Sequence, residues 1–380
     1  MEISRKNVDG KLLRCGYTTG ACAAAAAKAA TIMLLTGEPA PAVSLTTPKG
    51  ILLTLDVLDE KIGENSATCA IKKDSGDDPD VTNGVLVYAK VERCAAGIQI
   101  SGGVGVGCVT KSGLDQPVGE AAINSTPRRM IIEAVEAVCI QYGYTGGVCV
   151  SISVPNGAAL AKRTFNPRMG IEGGISIIGT TGIVEPMSHA ALIDTIRLEL
   201  RQLADTGIKS VLLAPGNYGE AFAAAKLQLS LSAHVACSNF IGDAIDAAVE
   251  LGFAKILLVG HIGKLVKLGI GMTNTHSANG DGRMETLLAC ALAAGAELPL
   301  LKEIAACVTT DAALALLHSA ELLQETMNIL GARIDACLKR RVPEGITIGY
   351  LCFTNAEGFG GILAQSENVE RLMRLWRENA

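Results

Sequence analysis

The sequence predicts a two-domain protein, with an α+β domain at residues 1–169 and an α/β, Rossmann-like domain at residues 170–380. A length of 380 residues exceeds what one ordinary hydrophobic core accommodates. In the first part a helix, many short strands and a second helix follow one another, which is typical of a largely antiparallel sheet. From about residue 170, short apolar runs bounded by glycine alternate with helical segments. That alternation is typical of a largely parallel, three-layer arrangement.

The composition is that of a globular chain, with 49% hydrophobic and 19% charged residues. A net charge of −5 disfavours nucleic acid as a partner. Lys28 and Glu297 interrupt the long apolar stretches, so no uncharged run reaches the roughly 18 residues of a membrane span. The N-terminus has no apolar signal-peptide core, so we expect a cytoplasmic protein without membrane association. The sequence leaves the oligomeric state open, a homo-oligomer included.

The 12 cysteines include no C-x-x-C pair, and most of them lie in apolar runs. This distribution favours buried, reduced thiols over structural zinc or a disulfide framework. We therefore expect no metal site built from protein ligands.

A Gly-Tyr-Thr-Thr-Gly turn leads into a helix of almost pure alanine within residues 13–30. Thr18 or Thr19 can cap this helix, and Gly16 and Gly20 allow the backbone to turn sharply. The first-turn amides and the helix dipole would then face whatever lies in front of the loop. A well-capped buried helix without a ligand is the alternative.

The remaining elements are expected in a regular order. The first domain should contain two strands within 42–58, strands at 67–72, 84–91, 97–101, 106–111 and 147–154, and a helix at 126–141. The second should contain strands at 174–179, 210–214, 234–237, 255–259 and 346–354, with helices at 188–206, 219–228, 241–251, between 282 and 338, and at the C-terminus. The strand at 346–354 could belong to either domain.

Polar, glycine-rich loops follow four successive strands of the second predicted domain, at residues 180–186, 215–219, 238–243 and 260–264. Ligands of open parallel sheets bind beyond the carboxyl ends of the strands, so these loops predict a ligand crevice. None of them spells G-x-G-x-x-G, and residues 260–264 are too short for a phosphate-binding loop. This disfavours a kinase or ATPase but remains compatible with a nucleoside that lacks a polyphosphate.

Two polar stretches and one basic cluster could also carry function. Residues 73–82 hold four carboxylates, which form a solvated turn, a clamp for a cation, or a carboxyl pair with one raised pKa. Residues 272–283 form a surface loop, or else place His276 as a base, Asp281 as its orienter and Arg283 as an anion clamp. Arg128, Arg129 and Arg168 suit carboxylate or phosphate groups, although exposed arginines are often only solvated.

These segments together resemble the cobalt-precorrin-5B C(1)-methyltransferase (CbiD) family of anaerobic cobalamin biosynthesis. The matching motifs occur in order along nearly the whole chain. They are GYTTGACAAAAAKAA, KDSGDDPDVTNG, SGGVGVG, INSTPRRMI, SVPNG, FNPRMGIEGGISIIGTTGIVEPMS, SNFIGD and LLVGHIGKLVKLGIGMTNTHSANGDGR. Each motif alone is moderately specific, and the ordered set is highly specific.

The resemblance implies an enzyme that transfers a methyl group from S-adenosylmethionine to carbon 1 of cobalt-precorrin-5B, a tetrapyrrole, giving cobalt-precorrin-6A. S-adenosylmethionine would be a co-substrate, and cobalt would enter only as part of the substrate. Two alternatives are a nucleotide-dependent tetrapyrrole reductase and a non-catalytic carrier of the corrin intermediate.

Physical reasoning gives each candidate residue a role in that reaction. The methyl donor is assigned to Thr180, Thr181, Gly182, Glu185, Asn239, Gly260 and Gly263. The macrocycle is assigned to Thr18, Thr19, Asp77, Asp78, Arg128, Arg129, Arg168, Lys264 and Arg283. His261 is the candidate proton acceptor, and His276 and Asp281 are the further catalytic candidates. A His261 that only makes a hydrogen bond within its loop is the alternative.

Overall fold

A computed structural model describes residues 4–8, 10–356 and 358–377, with the side chains of Arg168 and Leu375 outside the described part. The chain divides into two compact units, Met1–Ser188 and His189–Ala380. Both units mix helices with strands, as the sequence predicts. The division falls later than the expected boundary at residues 169/170, because residues 170–188 pair with the first unit.

The first unit contains thirteen described strands and four described helices. The strands are β1 (Arg5–Val8), β2 (Lys11–Arg14), β3 (Gly16–Tyr17), β4 (Ala42–Thr46), β5 (Leu52–Asp56), β6 (Leu58–Ile62), β7 (Ser66–Lys72), β8 (Leu86–Cys94), β9 (Ile98–Gly102), β10 (Cys108–Val109), β11 (Gly147–Ser153), β12 (Ile171–Glu172) and β13 (Ile183–Val184). The helices are α1 (Thr19–Thr36), α2 (Ser125–Gln141), α3 (Gly157–Ala161) and α4 (Asn166–Met169).

A five-stranded sheet of order β6-β7-β8-β11-β9 forms the centre of this unit. Its pairs are antiparallel except β11 with β9, which is parallel. The strands alternate buried and exposed residues, and α1 packs on β7 and β8 and against α2. One face of the sheet is therefore covered by helices, which fixes the register of each strand.

Helix α1 is almost completely buried, because its alanines leave room for close packing on every side. Thr18 caps it by accepting from the Ala21 N–H at 3.1 Å, and Gly37 ends it at a φ of 73°. By length and composition α1 could cross a bilayer, despite Lys28, whose ammonium donates to the Ser44 carbonyl. Because 78% of it is buried inside the unit, its placement is that of a core helix.

Three backbone segments meet at a glycine-rich joint within the SGGVGVG motif. A Cβ on Gly105, whose φ is +75°, would lie 1.8 Å from the Val154 carbonyl oxygen. A Cβ on Gly157 or Gly174 would lie 2.0 or 2.2 Å from the Gly105 carbonyl oxygen. Gly105 of this motif, together with Gly157 and Gly174, is thus required for close backbone packing.

The strand expected at residues 174–179 does not belong to the second sheet. Ile175 forms an isolated bridge with Val106, and Ile177 forms one with Ile123, both inside the first unit. The run is apolar because it is buried between loops of the first unit, and a short apolar run cannot show which core it enters.

The second unit contains five described strands and nine described α-helices. The strands are β14 (Ser210–Ala214), β15 (His234–Ala236), β16 (Lys255–His261), β17 (Thr347–Thr354) and β18 (Gly361–Gln365). The helices are α5 (His189–Asp205), α6 (Asn217–Ala225), α7 (Ile241–Glu250), α8 (Ile262–Leu265), α9 (Arg283–Ala293), α10 (Leu298–Ala305), α11 (Thr310–Ser319), α12 (Leu323–Lys339) and α13 (Val369–Arg377).

These strands form one sheet of order β15-β14-β16-β17-β18, in which the first four are parallel and β18 is antiparallel. The strand whose domain the sequence leaves open is therefore β17, in the second unit. Helices α6 and α13 contribute to the apolar cluster on one face of the sheet, and α5, α7, α9, α11 and α12 to the cluster on the other. The order in which the strands are added reverses between β14 and β16, and open sheets of this kind bind ligands at such a point.

The glycine-rich joint predicts a difference between two alanine variants. In Gly105→Ala the new Cβ sits on a backbone of positive φ and also clashes with the Val154 carbonyl. In Gly50→Ala the φ is similar, +78°, but the space around the new Cβ is open, so only the backbone strain is added. We expect Gly50→Ala to lose about 1–2 kcal/mol of unfolding free energy and Gly105→Ala to lose clearly more. Thermal and denaturant unfolding followed by circular dichroism measures both. Equal losses would show that the joint can relax around a methyl group.

Candidate functional site

The N-terminus of α1 is covered by residues 176–182 of the same unit. The Gly20 N–H donates to the Ile178 carbonyl at 3.0 Å, and the Thr19 hydroxyl accepts from the Ile178 N–H at 3.0 Å. The Thr18 N–H donates to the Gly182 carbonyl at 3.1 Å. Thr18 and Thr19 are thus buried in bonds to the chain itself, and these amides do not face a ligand.

The acidic loop at residues 73–84 is organised around a buried lysine. Lys73, only 3% exposed, donates from Nζ to the Ser75 hydroxyl at 2.6 Å and to Asp80 Oδ2 at 2.5 Å. Burial alone would raise the pKa of Asp80, but the charge of Lys73 and the hydrogen bonds from Lys73 and Thr82 lower it overall. Asp80 therefore stays ionised as the internal partner of Lys73.

The other three carboxylates of this loop also hold it in place. Arg14 binds Asp74 with both terminal nitrogens, and this guanidinium lowers the pKa of Asp74. The Arg14 N–H donates to Asp77 at 2.7 Å, and the Met187 N–H donates to Asp78 at 2.9 Å. The predicted carboxyl pair with one raised pKa is wrong for Asp74 and Asp80, because the pKa of each is lowered. Asp77 and Asp78 each anchor the loop through one carboxylate oxygen, and their assignment to the macrocycle stays a prediction.

Residues 180–185 do not lie at the carboxyl edge of the parallel sheet, contrary to the sequence prediction. β13 pairs antiparallel with β3 in the first unit. The Thr181 hydroxyl accepts from the Ile183 N–H at 3.2 Å, while Thr180 is exposed. The neighbouring glycine, Gly182, packs against Thr47.

Glu185 forms ion pairs with Lys6 and Lys49. Hydrogen bonds first from Lys49 and then from Lys6 lower its pKa to about 2. This carboxylate is therefore occupied by two lysines of the first unit, which leaves it unsuited to bind the ribose of a methyl donor.

The two arginines at the start of α2 have different surroundings. Arg128 donates from Nε to the Ile123 carbonyl at 2.9 Å, and its Nη2 lies 3.8 Å from Glu120. The side chain of Arg129 is 62% exposed, with Glu133 3.8 Å away on the next turn. Arg128 is thus anchored through Nε, while its buried Nη2 has no hydrogen-bond partner among the described residues, and Arg129 faces solvent. The side chain of Arg168 lies outside the described residues.

The N-terminus of α2, where Arg128 and Arg129 lie, already holds a carboxylate of the chain. Asp115 accepts from the Ser125 N–H and, at 2.9 Å, from the Ser125 hydroxyl. Burial opposes ionisation of Asp115, but these bonds lower its pKa overall. The favourable position at the helix terminus is therefore taken by Asp115.

The carboxyl edge of the second sheet does bring several predicted residues together. Lys264, in α8, donates from Nζ to the Ser238 carbonyl at 3.1 Å. A Cβ on Gly216 would lie 3.4 Å from Lys264 Nζ, so the loop after β14 also reaches this ammonium. Burial lowers the pKa of Lys264, with Cys237 raising it and Lys267 lowering it as smaller influences. Loops after β14, β15 and β16 thus converge where the strand order reverses.

His261 ends β16 and caps α8 with its own ring. Its Nδ1 accepts from the Gly263 N–H at 3.1 Å. Burial lowers the pKa of His261, with Asp311 raising it as the smaller influence. The neutral ring whose Nδ1 accepts this bond carries its hydrogen on Nε2. His261 is then a hydrogen-bond donor at its free nitrogen, which contradicts its assignment as the proton acceptor.

His276 repeats this arrangement in the polar loop at residues 272–283. Its Nδ1 accepts from the Ala278 N–H at 3.2 Å. Asp281 is held by Arg283 through Nε at 2.5 Å and Nη2 at 2.8 Å, and this bond lowers the pKa of Asp281. Arg283 and Asp281 satisfy each other, so they do not form the predicted orienter and anion clamp.

Asn239, Gly260 and Gly263 are the remaining residues of the second unit that were predicted to bind the methyl donor. Asn239 accepts from the Thr275 hydroxyl at 3.1 Å, which fixes the polar loop to the strand end. Gly260 packs against Leu265 and Pro215, and Gly263 lies beside His261. Asn239 is therefore partly occupied, while the two glycines allow close approach of the backbone.

Three residues at this edge were not predicted from the sequence. Thr354, at the end of β17, is 1% exposed and donates to Asp311 Oδ1 at 2.9 Å. Tyr218, near the start of α6, is 69% exposed, with its ring centroid 6.0 Å from that of His261. The position of Tyr218 in the loop after β14 could have suggested it. Asp311 begins a helix far from any strand end in sequence, so no local signal marks it.

Comparisons with known proteins agree with the ordered motifs. The CbiD sequence profile matches residues 6–186, and that of the CbiD C-terminal domain matches residues 274–367. A protein of Ruminiclostridium cellulolyticum is 49% identical over 321 residues, which cover 84% of this chain and 83% of the relative. The chain belongs to the CbiD family. The recognition made from the motifs is confirmed.

Other CbiD relatives extend over more of the chain. One from Thermoanaerobacter sp. is 49% identical over 90% of this chain and 92% of its own length. One from Alkaliphilus metalliredigens is 42% identical over 97% of this chain and 96% of its own length. All three relatives are named cobalt-precorrin-5B C(1)-methyltransferase.

A crystal structure of the cobalamin biosynthesis protein CbiD from Archaeoglobus fulgidus is 29% identical to this chain. The alignment covers 69% of this chain and 81% of that one, with a TM-score of 0.39. The family assignment rests on the sequences.

The lysine pair around Glu185 predicts an acid-dependent loss of stability. The pKa of Glu185 is about 2 in the folded state, below the ordinary 4.5. The ionised carboxylate therefore stabilises the fold fully above pH 4.5, and this stabilisation is lost as the pH falls towards 2. We expect Glu185→Gln to be less stable than wild type at neutral pH, with the difference shrinking below pH 4.5. Denaturant midpoints across this pH range measure it. Glu92→Gln, which breaks an exposed pair with Lys90, is the control and should change little. A difference that is constant with pH would contradict the lowered pKa.

Proposed function

We propose that this protein is a cobalt-precorrin-5B C(1)-methyltransferase, which transfers a methyl group from S-adenosylmethionine to carbon 1 of the macrocycle and releases cobalt-precorrin-6A. Sequence identity to proteins of that name carries the proposal. One relative is 42% identical over 97% of the chain, and two others are 49% identical over shorter alignments. Cobalt belongs to the substrate in this proposal, and the reaction would take place in the cytoplasm.

The methyl donor is proposed to bind at the carboxyl edge of the sheet in the second, Rossmann-like unit. The geometry there suits a nucleoside with an amino-acid side chain. A half-buried ammonium, Lys264, offers a partner for a carboxylate, and Gly216 leaves space next to it. Strand ends at the point where the strand order reverses are the usual ligand position in such sheets.

The protein acts mainly by positioning the two substrates, because the methyl donor itself supplies an activated methyl group. Alignment of the reacting carbon with the methyl group in a dry site can provide roughly 7–11 kcal/mol of the barrier. The carbon–sulfur bond breaks as the new carbon–carbon bond forms, and the sulfonium charge is neutralised. A neutral His261 with its hydrogen on Nε2 can orient an acceptor atom of either substrate without removing a proton.

Recognition of the macrocycle calls for cations that face solvent, since the substrate carries acetate and propionate arms. Of the basic side chains assigned to it, Arg128 and Arg283 have internal partners. Arg129 is exposed and is proposed as one contact to a carboxylate arm.

Labelled methyl transfer tests the proposed activity directly. Purified protein with methyl-labelled S-adenosylmethionine and cobalt-precorrin-5B should give a product with one added methyl at carbon 1, located by carbon NMR. Omission of the macrocycle should leave the donor unconsumed. Incorporation at another ring carbon, or binding of the macrocycle without consumption of the donor, would contradict the proposal, and the second result would favour a carrier.

His261 provides a separate test of how the reaction is supported. Because its Nδ1 caps α8, His261→Ala should lose about 1 kcal/mol of unfolding free energy, whereas His261→Asn can still accept from the Gly263 N–H. We expect the asparagine variant to keep turnover within about tenfold of wild type. A loss of roughly 10²–10⁴ in turnover by a stable asparagine variant would restore His261 as a general base.

A further inference from the structure

Two oppositely charged side chains lie at separate places along the carboxyl edge of the second sheet. Lys264 is tied to the Ser238 carbonyl, just after β15. Asp311 is tied to the Thr354 hydroxyl, at the end of β17. The order β15-β14-β16-β17 puts three strand intervals between these two attachment points. With strands about 4.8 Å apart, the attachment points lie roughly 14 Å from each other.

Both charges have unused capacity for a ligand. Within residues 4–8, 10–356 and 358–377, neither Lys264 nor Asp311 has an ion-pair partner within 4.0 Å. The ammonium of Lys264 uses one donor on a carbonyl oxygen and has three to offer. Asp311 uses Oδ1 for Thr354, and that hydroxyl is fixed in turn because it accepts from the Ala356 N–H at 3.2 Å. The second carboxylate oxygen of Asp311 is left to accept.

Two rings, those of His261 and Tyr218, lie along this edge between the two attachment points. His261 ends the intervening strand β16, and the exposed ring of Tyr218 lies beside it, tilted by 43°. The edge therefore offers, in order, a cation, an aromatic pair and a carboxylate.

We propose that the two charges bind two separate parts of the methyl donor, with Lys264 pairing with its amino-acid carboxylate and Asp311 accepting hydrogen bonds from its ribose hydroxyls. This inference rests on the proposed function and specifies how the donor is recognised. It reassigns Lys264 from the macrocycle to the donor, and it gives the ribose to Asp311 in place of Glu185, which binds two lysines. An extended nucleoside with an amino-acid chain is long enough to approach both ends of this edge.

Binding of two product-like nucleosides separates the two contacts. S-adenosylhomocysteine contains both the carboxylate and the ribose, whereas 5′-methylthioadenosine contains the ribose but lacks the amino acid. We expect Lys264→Met to weaken binding of S-adenosylhomocysteine about tenfold or more and to leave that of 5′-methylthioadenosine nearly unchanged. We expect Asp311→Asn to weaken binding of both ligands about tenfold, since the amide can still accept from Thr354. Isothermal titration calorimetry measures all four affinities.

Matched variants at the opposite edge of the sheet control for general effects. Lys255, at the start of β16, and Asp335, on α12 beside Lys339, can be changed to Met and Asn and should leave both affinities as in wild type. Equal binding by wild type and the two test variants would overturn the subsite and leave the proposed function intact. Equal weakening of both ligands by Lys264→Met would overturn the carboxylate contact. Failure of the wild-type protein to bind S-adenosylhomocysteine would overturn both the inference and the proposed donor.

Discussion

The parallel pairing of β16 with β17 is the interaction on which the candidate site depends. Seven consecutive residue pairs, from Lys255 with Thr347 to His261 with Phe353, align the ends of two strands that are far apart in sequence. Both strands are buried on both faces, so a shift of register would move apolar side chains out of both cores. The pairing sets His261 next to the end of β17. It also places Thr354 where the first turn of α11 can reach it through Asp311.

A second feature of the molecule is how many of its charges are used internally. Lys73 pairs with Asp80, Arg14 with Asp74, Glu185 with Lys6 and Lys49, and Arg283 with Asp281, and each pair holds at least one residue of a loop. Irregular segments expose backbone groups that need partners, and charged side chains supply strong ones. A motif rich in charge is therefore often a motif that holds a loop in shape. Three of the candidate residues have charged groups that can still bind a ligand: Lys264, Asp311 and Arg129. They lie outside the most strongly charged stretches.

Much of the fold could be predicted from local patterns. The strand at residues 210–214 was predicted with the bounds that β14 has, and α2, α7, β11 and β17 differ from their predicted bounds by one residue at an end. These elements have clear periodicity and glycine or proline at their borders. The short strands β1, β2 and β6 were not predicted, because their exposed residues show no alternation. The run at residues 174–179 was placed in the wrong sheet, because a short strand and a short, largely buried loop with the same isoleucines look alike in sequence.

By itself the sequence determined the family, the mixture of helices and strands, a cap of α1 by Thr18 or Thr19, and three of the loops at the carboxyl edge of the second sheet. The family follows from motifs along the whole chain, and the others depend on residues close to one another in sequence. Only the tertiary structure decided which charged groups are satisfied and which are available. It placed Glu185 in ion pairs with Lys6 and Lys49, and it determined that Nδ1 is the ring nitrogen of His261 that accepts a hydrogen bond. It also brought Asp311 to Thr354, because a hydrogen bond needs two groups about 3 Å apart and that distance is set by how distant segments pack.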